Sequence, residues 1–331
     1  MIRSDKIEKI TIHEYKPEFK DEWDKFVDES NIGTMFHKQA FLDYHDPGKF
    51  DFHNLMFRRG DELVGVMPAG LKENGSVLWS PMGASYGSVV VKDIAFDLSL
   101  EIIDTLLDYS KDRFKEIFLI PPPLIYNKIY NQHLEYSMLY RKFDFENHYI
   151  SHAIDLKLGD NCYDNFDKKT KMILRKIQRE GKLEIKESDS MEEFYPILEE
   201  NKAKHNVKPT HSLEDLNRLK DLIPQHLKLF MVYYEGKPIA GSLLFLANEK
   251  VALCFYVMMK YEYKHLKPVF LAQHHSARWA QLNGYHWFDI GVSQDTAAED
   301  PMTPSLSLIY FKERFNARGI FRSTFHYKFK D

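Results

Sequence analysis

Three apolar segments that follow one another at hairpin distance constrain the fold of this chain more than any other feature. Runs of β-branched and aromatic residues extend over 227–234, 239–246 and 251–259. The connections between them, Glu235-Gly236-Lys237 and Asn248-Glu249, have the length and the residue types of hairpin turns. The sequence therefore predicts three consecutive antiparallel strands in the second half of the chain.

Helices and single strands flank these hairpins in a regular order. In chain order the sequence predicts a helix at 164–181, a strand at 183–186, helices that begin at Ser190 and Ser212, the three strands, a helix from Pro268, a strand at 286–290, a helix at 306–316 and a strand at 319–329. After the leading helix this order is βααβββαβαβ. Residues 1–158 show a fainter version of it, which predicts two copies of one architecture, at 1–158 and 159–331.

Length and composition agree with a folded protein of two domains. At about 150 residues per domain, a chain of 331 residues has room for two. The net charge of -4 speaks against a dedicated nucleic-acid-binding protein, and two isolated cysteines exclude a disulfide framework or a cysteine-based zinc site. The first residues lack the apolar segment of a signal peptide, and the longest apolar run, 251–259, is shorter than the about 20 residues that span a membrane. We therefore expect a cytoplasmic protein without a membrane span.

Two motifs near the C-terminal end resemble those of a known family. The strand Trp287-Phe288-Asp289-Ile290-Gly291 precedes the helical segment Phe311-Lys312-Glu313-Arg314-Phe315-Asn316. Together with the element order, these motifs resemble the FemAB-like branch of the GNAT N-acyltransferase fold. The segments 205–209 and 80–87, and Trp23 with Phe36, are similar to that branch as well. The resemblance implies an α/β (α+β) protein of two tandem GNAT-like domains, each with a mixed, mainly antiparallel sheet flanked by helices.

The same resemblance implies an enzyme, with its active site in the second domain. It would move an acyl or aminoacyl group from an activated donor, acyl-CoA or aminoacyl-tRNA, to an amine in cell-envelope or peptidoglycan-related metabolism. Acyl-CoA would be a co-substrate, so no permanently bound cofactor is expected. The partners would be a small-molecule donor and an amine acceptor, because the acidic net charge and the lack of a coiled-coil insertion disfavour tRNA. The alternative is a catalytically degenerate GNAT pair that binds a ligand or a partner.

The segment expected to bind the donor departs from the family pattern. Where CoA-dependent members have a glycine-rich loop, this chain has Tyr261–Pro268 without a glycine. The N-terminus of the following helix can still bind phosphate through its backbone N–H groups and its dipole. The cofactor-binding candidates therefore surround this helix start: Lys264, Lys267, Val269 and Phe270.

Acyl transfer to an amine needs a polarised carbonyl, a neutral amine and a proton for the leaving group. In a GNAT-like domain the acyl group lies between the fourth and fifth strands, here 251–259 and 286–290. The loop between His205 and His211 would cover the acceptor end of this position. The catalytic candidates are therefore Tyr310, His205 and Asp289. The substrate-binding candidates are His211, Tyr256, Ser293 and Lys312. The resemblance gives Tyr310 the role of the acid that protonates the leaving group.

Each of these residues also has a purely structural explanation. Tyr310 could be a core aromatic residue, Lys312 a solvated helix lysine and Asp289 a partner of a nearby basic side chain. His205 and His211 could each be ordinary surface histidines. No H-E-x-x-H motif occurs, and the adjacent His274 and His275 point to different faces of their helix, so no metal site is predicted.

The leading helix is unusually basic. Lys171, Arg175 and Arg179 recur at intervals of four residues, with Lys168 and Lys176 beside them. Like charges at this spacing destabilise a helix by roughly 0.2–0.5 kcal/mol per pair. The pattern predicts that this face meets an anionic ligand or an acidic protein surface, with a solvated face as the alternative.

Overall fold

The structure is a computed structural model that describes residues 8–204, 207–295 and 298–330. Its residue contacts divide the chain into two compact units. Unit 1 comprises Met1–His148 and Arg322–Asp331, and unit 2 comprises Tyr149–Phe321. The predicted division at 1–158 and 159–331 follows chain order, whereas residues 149–158 belong to unit 2 and the segment that begins at Arg322 belongs to unit 1.

Unit 1 is built on two sheets. Its elements, with the strand β7 that continues into unit 2, are β1 (Ile10–Glu14), α1 (Lys20–Glu29), α2 (Gln39–Leu42), β2 (Leu55–Arg59), β3 (Glu62–Met67), β4 (Gly70–Lys72), β5 (Val77–Ser80), α3 (Phe96–Ser110), β6 (Glu116–Leu119), α4 (His133–Tyr140) and β7 (Asp144–Asp155). The first three strands form an antiparallel sheet. In the other sheet β4 pairs with β5 in antiparallel fashion, and β5 pairs with β6 in parallel.

Unit 2 contains the predicted hairpins. Its elements are α5 (Lys168–Glu180), β8 (Leu183–Ser188), α6 (Met191–Ala203), α7 (Leu213–Leu222), β9 (Leu227–Tyr234), β10 (Lys237–Leu246), β11 (Val251–Met259), α8 (Pro268–Leu282), β12 (Trp287–Val292), α9 (Leu306–Glu313) and the start of β13 (Arg318–Lys328). The strands β8 to β11 pair as antiparallel neighbours in chain order. The three hairpin strands and the order βααβββαβαβ are confirmed.

In each unit, one strand segment comes from the other half of the sequence. In unit 2, β12 pairs in antiparallel fashion with residues 151–155 of β7. In unit 1, β6 pairs in antiparallel fashion with residues 325–328 of β13. We call these two pairings the strand exchange. It explains why the compact units do not coincide with the two halves of the sequence, because the backbone N–H and C=O groups of each segment find their hydrogen-bond partners in a strand from the other half.

Local signals fix the ends of the helices in unit 2. Asp167 caps α5 by accepting a hydrogen bond from the Thr170 N–H, and Gly181 ends it with a left-handed φ of 59°. Ser212 and Asp215 form a capping box at the start of α7, the helix predicted to begin at Ser212. Among the described residues, no helix combines the length and the apolar character needed to cross a bilayer.

A glycine on β10 allows α6 to pack closely on the sheet. A Cβ atom at Gly241 would lie 2.6 Å from Cδ2 of Phe194 and 2.8 Å from Sδ of Met231. Phe194 is fully buried, and its ring centroid is 6.3 Å from that of Tyr256 on the neighbouring strand. The position of α6 above β11 therefore depends on the missing side chain.

We expect Gly241→Ala to lower the free energy of unfolding by about 1–3 kcal/mol, since the added methyl group overpacks the core. Chemical denaturation measures the change. Combining it with Phe194→Leu should cost less than the sum of the two single changes, because the smaller side chain makes room for the methyl group. Additive costs would contradict this account of the packing.

Candidate active site

The two parallel strands of unit 2 separate after a short ladder. Residues Val251–Leu253 of β11 pair with Trp287–Asp289 of β12, and the ladder ends there although β11 continues to Met259. On its other edge, β11 bulges at Phe255, because Leu243 of β10 faces Tyr256 while Leu244 faces Cys254. The gap between β11 and β12 begins at this bulge.

Asp289 is the last residue of β12 that pairs with β11, and its carboxylate is completely buried. Its Oδ1 atom accepts hydrogen bonds from the Ser151 hydroxyl at 2.9 Å and from the Gly291 N–H at 2.7 Å. Gly291 has a φ of 77°, which a residue with a side chain adopts only with strain. This turn folds the end of β12 around the carboxylate.

Lys312 on α9 is buried, with 3% of its surface exposed. Its ammonium group donates hydrogen bonds to the carbonyl oxygens of Gly291 at 2.7 Å and Val292 at 2.8 Å, and to Oγ of Ser293 at 2.9 Å. Burial lowers the pKa of Lys312 to about 8, and the negative charge of Asp289 opposes that shift. The solvated helix lysine is thereby excluded. Because all three ammonium hydrogens have partners within the chain, this side chain holds the end of β12.

His152 on β7 joins this group, and the sequence analysis does not single it out. Its Nδ1 atom lies 2.9 Å from Oγ of Ser293, and both side chains are buried. Burial, and then the charge of Lys312, lowers the pKa of His152 to about 4, so its imidazole is neutral near pH 7. The signal that could have revealed it is the adjacent polar pair Ser151 and His152, which follows Ile150 and precedes Ala153 and Ile154 in the strand.

A second pair of side chains lies on the α6 side of β11. Nδ1 of His211 is 3.0 Å from the hydroxyl of Tyr256, and both residues are buried. Burial raises the pKa of Tyr256 to about 12, so the phenol keeps its proton. The rings of Phe245 and Phe255 pack against the imidazole at centroid distances of 5.9 and 5.3 Å. His205, the catalytic candidate at the other end of the loop that contains His211, lies outside the described residues.

Tyr310 lies on α9 two residues before Lys312, and the two side chains have opposite environments. Tyr310 is 55% exposed, whereas Lys312 is buried. A core aromatic position, the structural alternative for Tyr310, is thereby excluded. Its phenol is open to solvent and accessible to a bound molecule.

The start of α8 separates the cofactor-binding candidates into two kinds. Lys264 and Lys267 are exposed, and Lys267 has a left-handed φ of 58° directly before Pro268. The ring of Phe270 instead packs against Phe311 at 5.4 Å. Its side chain therefore belongs to the core, and only its backbone is available for a donor. Val269 between them is partly exposed.

A buried polar cluster lies between α8 and β11, next to the start of the gap. The thiol of Cys254 is 3.5 Å from Oγ of Ser242, which accepts from the Ser276 hydroxyl at 3.0 Å. Gln273 is fully buried, and its Nε2 atom has no hydrogen-bond partner within residues 8–204, 207–295 and 298–330. In the same described ranges, His, Cys, Asp and Glu side chains form no group of three that could bind a metal.

Comparison with protein families identifies the domain that carries this gap. Residues 165–299 match the family model of the GNAT acetyltransferase domain. This segment is similar to the GNAT acetyltransferase domain. It includes the whole of β11, α8 and β12, and the His211–Tyr256 pair. No curated protein sequence matches the chain significantly.

Solved structures extend the GNAT likeness over almost the whole chain. FemX superposes with a TM-score of 0.71 at 12% identity, over 96% of this chain and 97% of its own. L-PGS from Bacillus licheniformis gives 0.59 at 12% identity, over 94% and 91%. A tandem GNAT protein from the clavulanic acid biosynthesis pathway gives 0.55 at 8% identity, over 97% and 98%. The chain therefore has the tandem GNAT, FemAB-like fold, as the resemblance implies.

The low pKa of Lys312 predicts a specific dependence of stability on pH. Its pKa is about 8 in the folded chain, against an ordinary 10.5, so unfolding takes up a proton between these values and stability rises with pH in this window. Between pH 7.5 and 9.5 the free energy of unfolding should rise by roughly 2 kcal/mol more in the wild type than in Lys312→Met. Denaturant titrations at both pH values measure this difference.

Lys237→Met serves as the control, because this lysine is exposed at the start of β10. It should leave the pH dependence of the wild type unchanged. A Lys312→Met variant with the same pH dependence as the wild type would contradict the buried ammonium group.

Proposed function

We propose that the chain is an N-acyltransferase whose active site is the gap between β11 and β12 in unit 2. The observation that carries the proposal is that this gap opens beside buried polar groups of three elements: Ser151 and His152 of β7, Asp289 at the end of the β12 ladder, and Lys312 of α9. Burial of so many polar groups costs stability unless they are fully bonded, and active sites are where such groups collect.

The reaction would join an amine to an acyl group. The amine nitrogen attacks the acyl carbonyl carbon, the bond from that carbon to the sulfur or oxygen of the leaving group breaks, and an amide forms. The amine loses one proton, and the departing thiolate or alkoxide gains one. Backbone N–H groups at the separated strand edges are the groups available to polarise the carbonyl oxygen.

In this proposal the residues have distinct roles. Tyr310, which is exposed on α9, protonates the leaving group. His211 accepts the proton of the amine at Nε2, in the tautomer whose Nδ1–H donates to the Tyr256 oxygen. Lys312 is a positioning residue, because it fixes the carbonyl groups at the end of β12, and Ser293 helps to hold its ammonium group. The carboxylate of Asp289 holds the Gly291 turn beside them.

The donor would approach from the N-terminus of α8. Exposed Lys264 and Lys267 place positive charge there, and the helix dipole favours a phosphate group. This supports a phosphate-bearing donor, which both acyl-CoA and aminoacyl-tRNA are. The FemAB-like fold supports an amine of a cell-envelope or peptidoglycan precursor as the acceptor. The glycine-free segment before α8 favours the second candidate, a degenerate GNAT pair that binds without catalysis.

A thermal-shift series tests the donor and separates the two candidates. Acetyl-CoA, longer acyl-CoAs, coenzyme A and aminoacyl-tRNA are added separately to the full chain. A ligand at 100 times its Kd stabilises by about 2.7 kcal/mol, enough for a clear shift in Tm. The donor that shifts Tm is then incubated with candidate amines, and the amide is detected by mass spectrometry. Binding without any amide would favour the degenerate pair.

With the donor identified, Tyr310→Phe should lower the single-turnover rate by roughly 10- to 1000-fold while the Kd of the donor changes little, because only the acidic hydroxyl is lost. Tyr136→Phe is the matched control, since Tyr136 is 60% exposed in unit 1. Equal rates for the wild type and Tyr310→Phe would remove Tyr310 from the mechanism.

The His211–Tyr256 pair generates a separate expectation. His211→Gln should lower kcat by roughly 100-fold or more, in the range of a lost general base. Tyr256→Phe removes only the hydroxyl that orients the imidazole, so its loss should be smaller. Full-chain kinetics over pH 6–9 measure both variants. A kcat unchanged in His211→Gln would assign the pair to packing alone.

A further inference from the structure

A groove separate from the β11–β12 gap lies between α5, β8 and α8. Its volume is about 380 Å³, within the range of about 300–1,000 Å³ that is typical of small-molecule sites. The groove uses the face of α8 that carries Leu271 and His274, whereas Phe270 and Gln273 of the same helix are buried. All of its lining residues belong to unit 2.

The walls of the groove are largely aliphatic. Ile177 of α5, Leu183 and Ile185 of β8, and Leu271 of α8 all line it and are each partly exposed. Apolar surface left open to water in a concave site gains free energy when an apolar molecule covers it. An alkyl chain, which is flexible and carries no polar groups, suits such walls.

One fixed cation lines the same groove. Arg175 donates from Nε to the hydroxyl of Tyr163 at 3.1 Å, which orients its guanidinium group. In the described part of the chain no carboxylate pairs with it, so its remaining N–H groups are available to an anion. The helix adds to the positive field, because α5 carries six Lys and Arg residues and a single acidic residue, Glu180.

His274 supplies the groove with a polar group but no charge. Burial lowers the pKa of its imidazole to about 4, so it is neutral near pH 7. Its ring lies 5.5 Å from that of Tyr163. The positive charge of the groove lining itself therefore comes from Arg175.

We propose that this groove binds a single-chain amphiphile, with its alkyl chain on the aliphatic walls and its phosphate or carboxylate head group on Arg175. Aliphatic walls beside one oriented guanidinium group are complementary to both parts of such a molecule. The site does not depend on the proposed acyl transfer, since it shares no residue with the β11–β12 gap. It gives the basic face of α5 an anionic ligand rather than an acidic protein surface.

Titration calorimetry on the full chain tests the proposal with decyl phosphate below its critical micelle concentration. Decanoate tests a carboxylate head group, inorganic phosphate tests the head alone, and decyl maltoside tests the tail alone. We expect decyl phosphate or decanoate to bind at least about tenfold more tightly than inorganic phosphate or decyl maltoside, because only these two engage both parts of the groove. The tighter of the two identifies the head group.

Arg175→Gln should weaken binding of that amphiphile about 10- to 100-fold, the effect of losing a charge-assisted hydrogen bond. Arg179→Gln is the matched control, because it removes the same charge from an exposed position of α5 outside the lining. It should change the Kd by less than about twofold in 0.15 M salt. Arg175→Lys keeps the charge without the bond to Tyr163 and should give an intermediate Kd.

The wall is tested by Ile185→Thr, which keeps a β-branched residue in the strand but makes it polar. It should weaken binding of the amphiphile and leave any binding of inorganic phosphate unchanged. Equal affinity of the wild type and Arg175→Gln for the tighter amphiphile, equal binding of that amphiphile and decyl maltoside, or an equal loss in Arg179→Gln would each overturn the proposal. Thermal unfolding of every variant confirms that it is folded.

Discussion

The hydrogen bonds of the Lys312 ammonium group hold the part of the structure on which the candidate active site depends. They engage the carbonyl groups of Gly291 and Val292 and the hydroxyl of Ser293, just beyond the point where β12 separates from β11. Strand ends normally expose such carbonyl groups to water. Here they are covered, and a buried cation satisfies them. The lowered pKa of Lys312 follows from the same burial.

The exchange of strands places the remaining members of that site. Because residues 151–155 of β7 pair with β12, Ser151 reaches Asp289 and His152 reaches Ser293. If β12 paired instead with a strand from its own half of the sequence, other side chains would face Asp289 and Ser293. The corresponding strand in unit 1, the end of β13, pairs with β6. The domain repeat and the composition of the site are therefore linked by backbone hydrogen bonding.

Helix α8 contributes to two regions that differ in chemistry. One face carries Gln273 and Ser276 into the buried polar cluster beside Cys254. The other carries Leu271 and His274 into the groove under α5. The helical period separates these faces, since successive residues project in different directions. A single element can thus border a polar gap and an aliphatic groove without either disturbing the other.

The sequence by itself determined the elements whose signals are local. The hairpins over 227–259, the capping box of Ser212 and Asp215, and the end of α5 at Gly181 are set by turn residues, side-chain caps and a left-handed glycine. The order of these elements also indicated the tandem GNAT fold. Local signals are weak in residues 1–158, where β4 has only three residues and α4 has an apolar pattern with little amphipathic character. Only the tertiary structure decided that Lys312 is buried while Tyr310 is exposed, and that His152 joins the site. Burial and strand pairing depend on residues more than 100 positions apart in the chain, and periodicity within one segment carries no information about them.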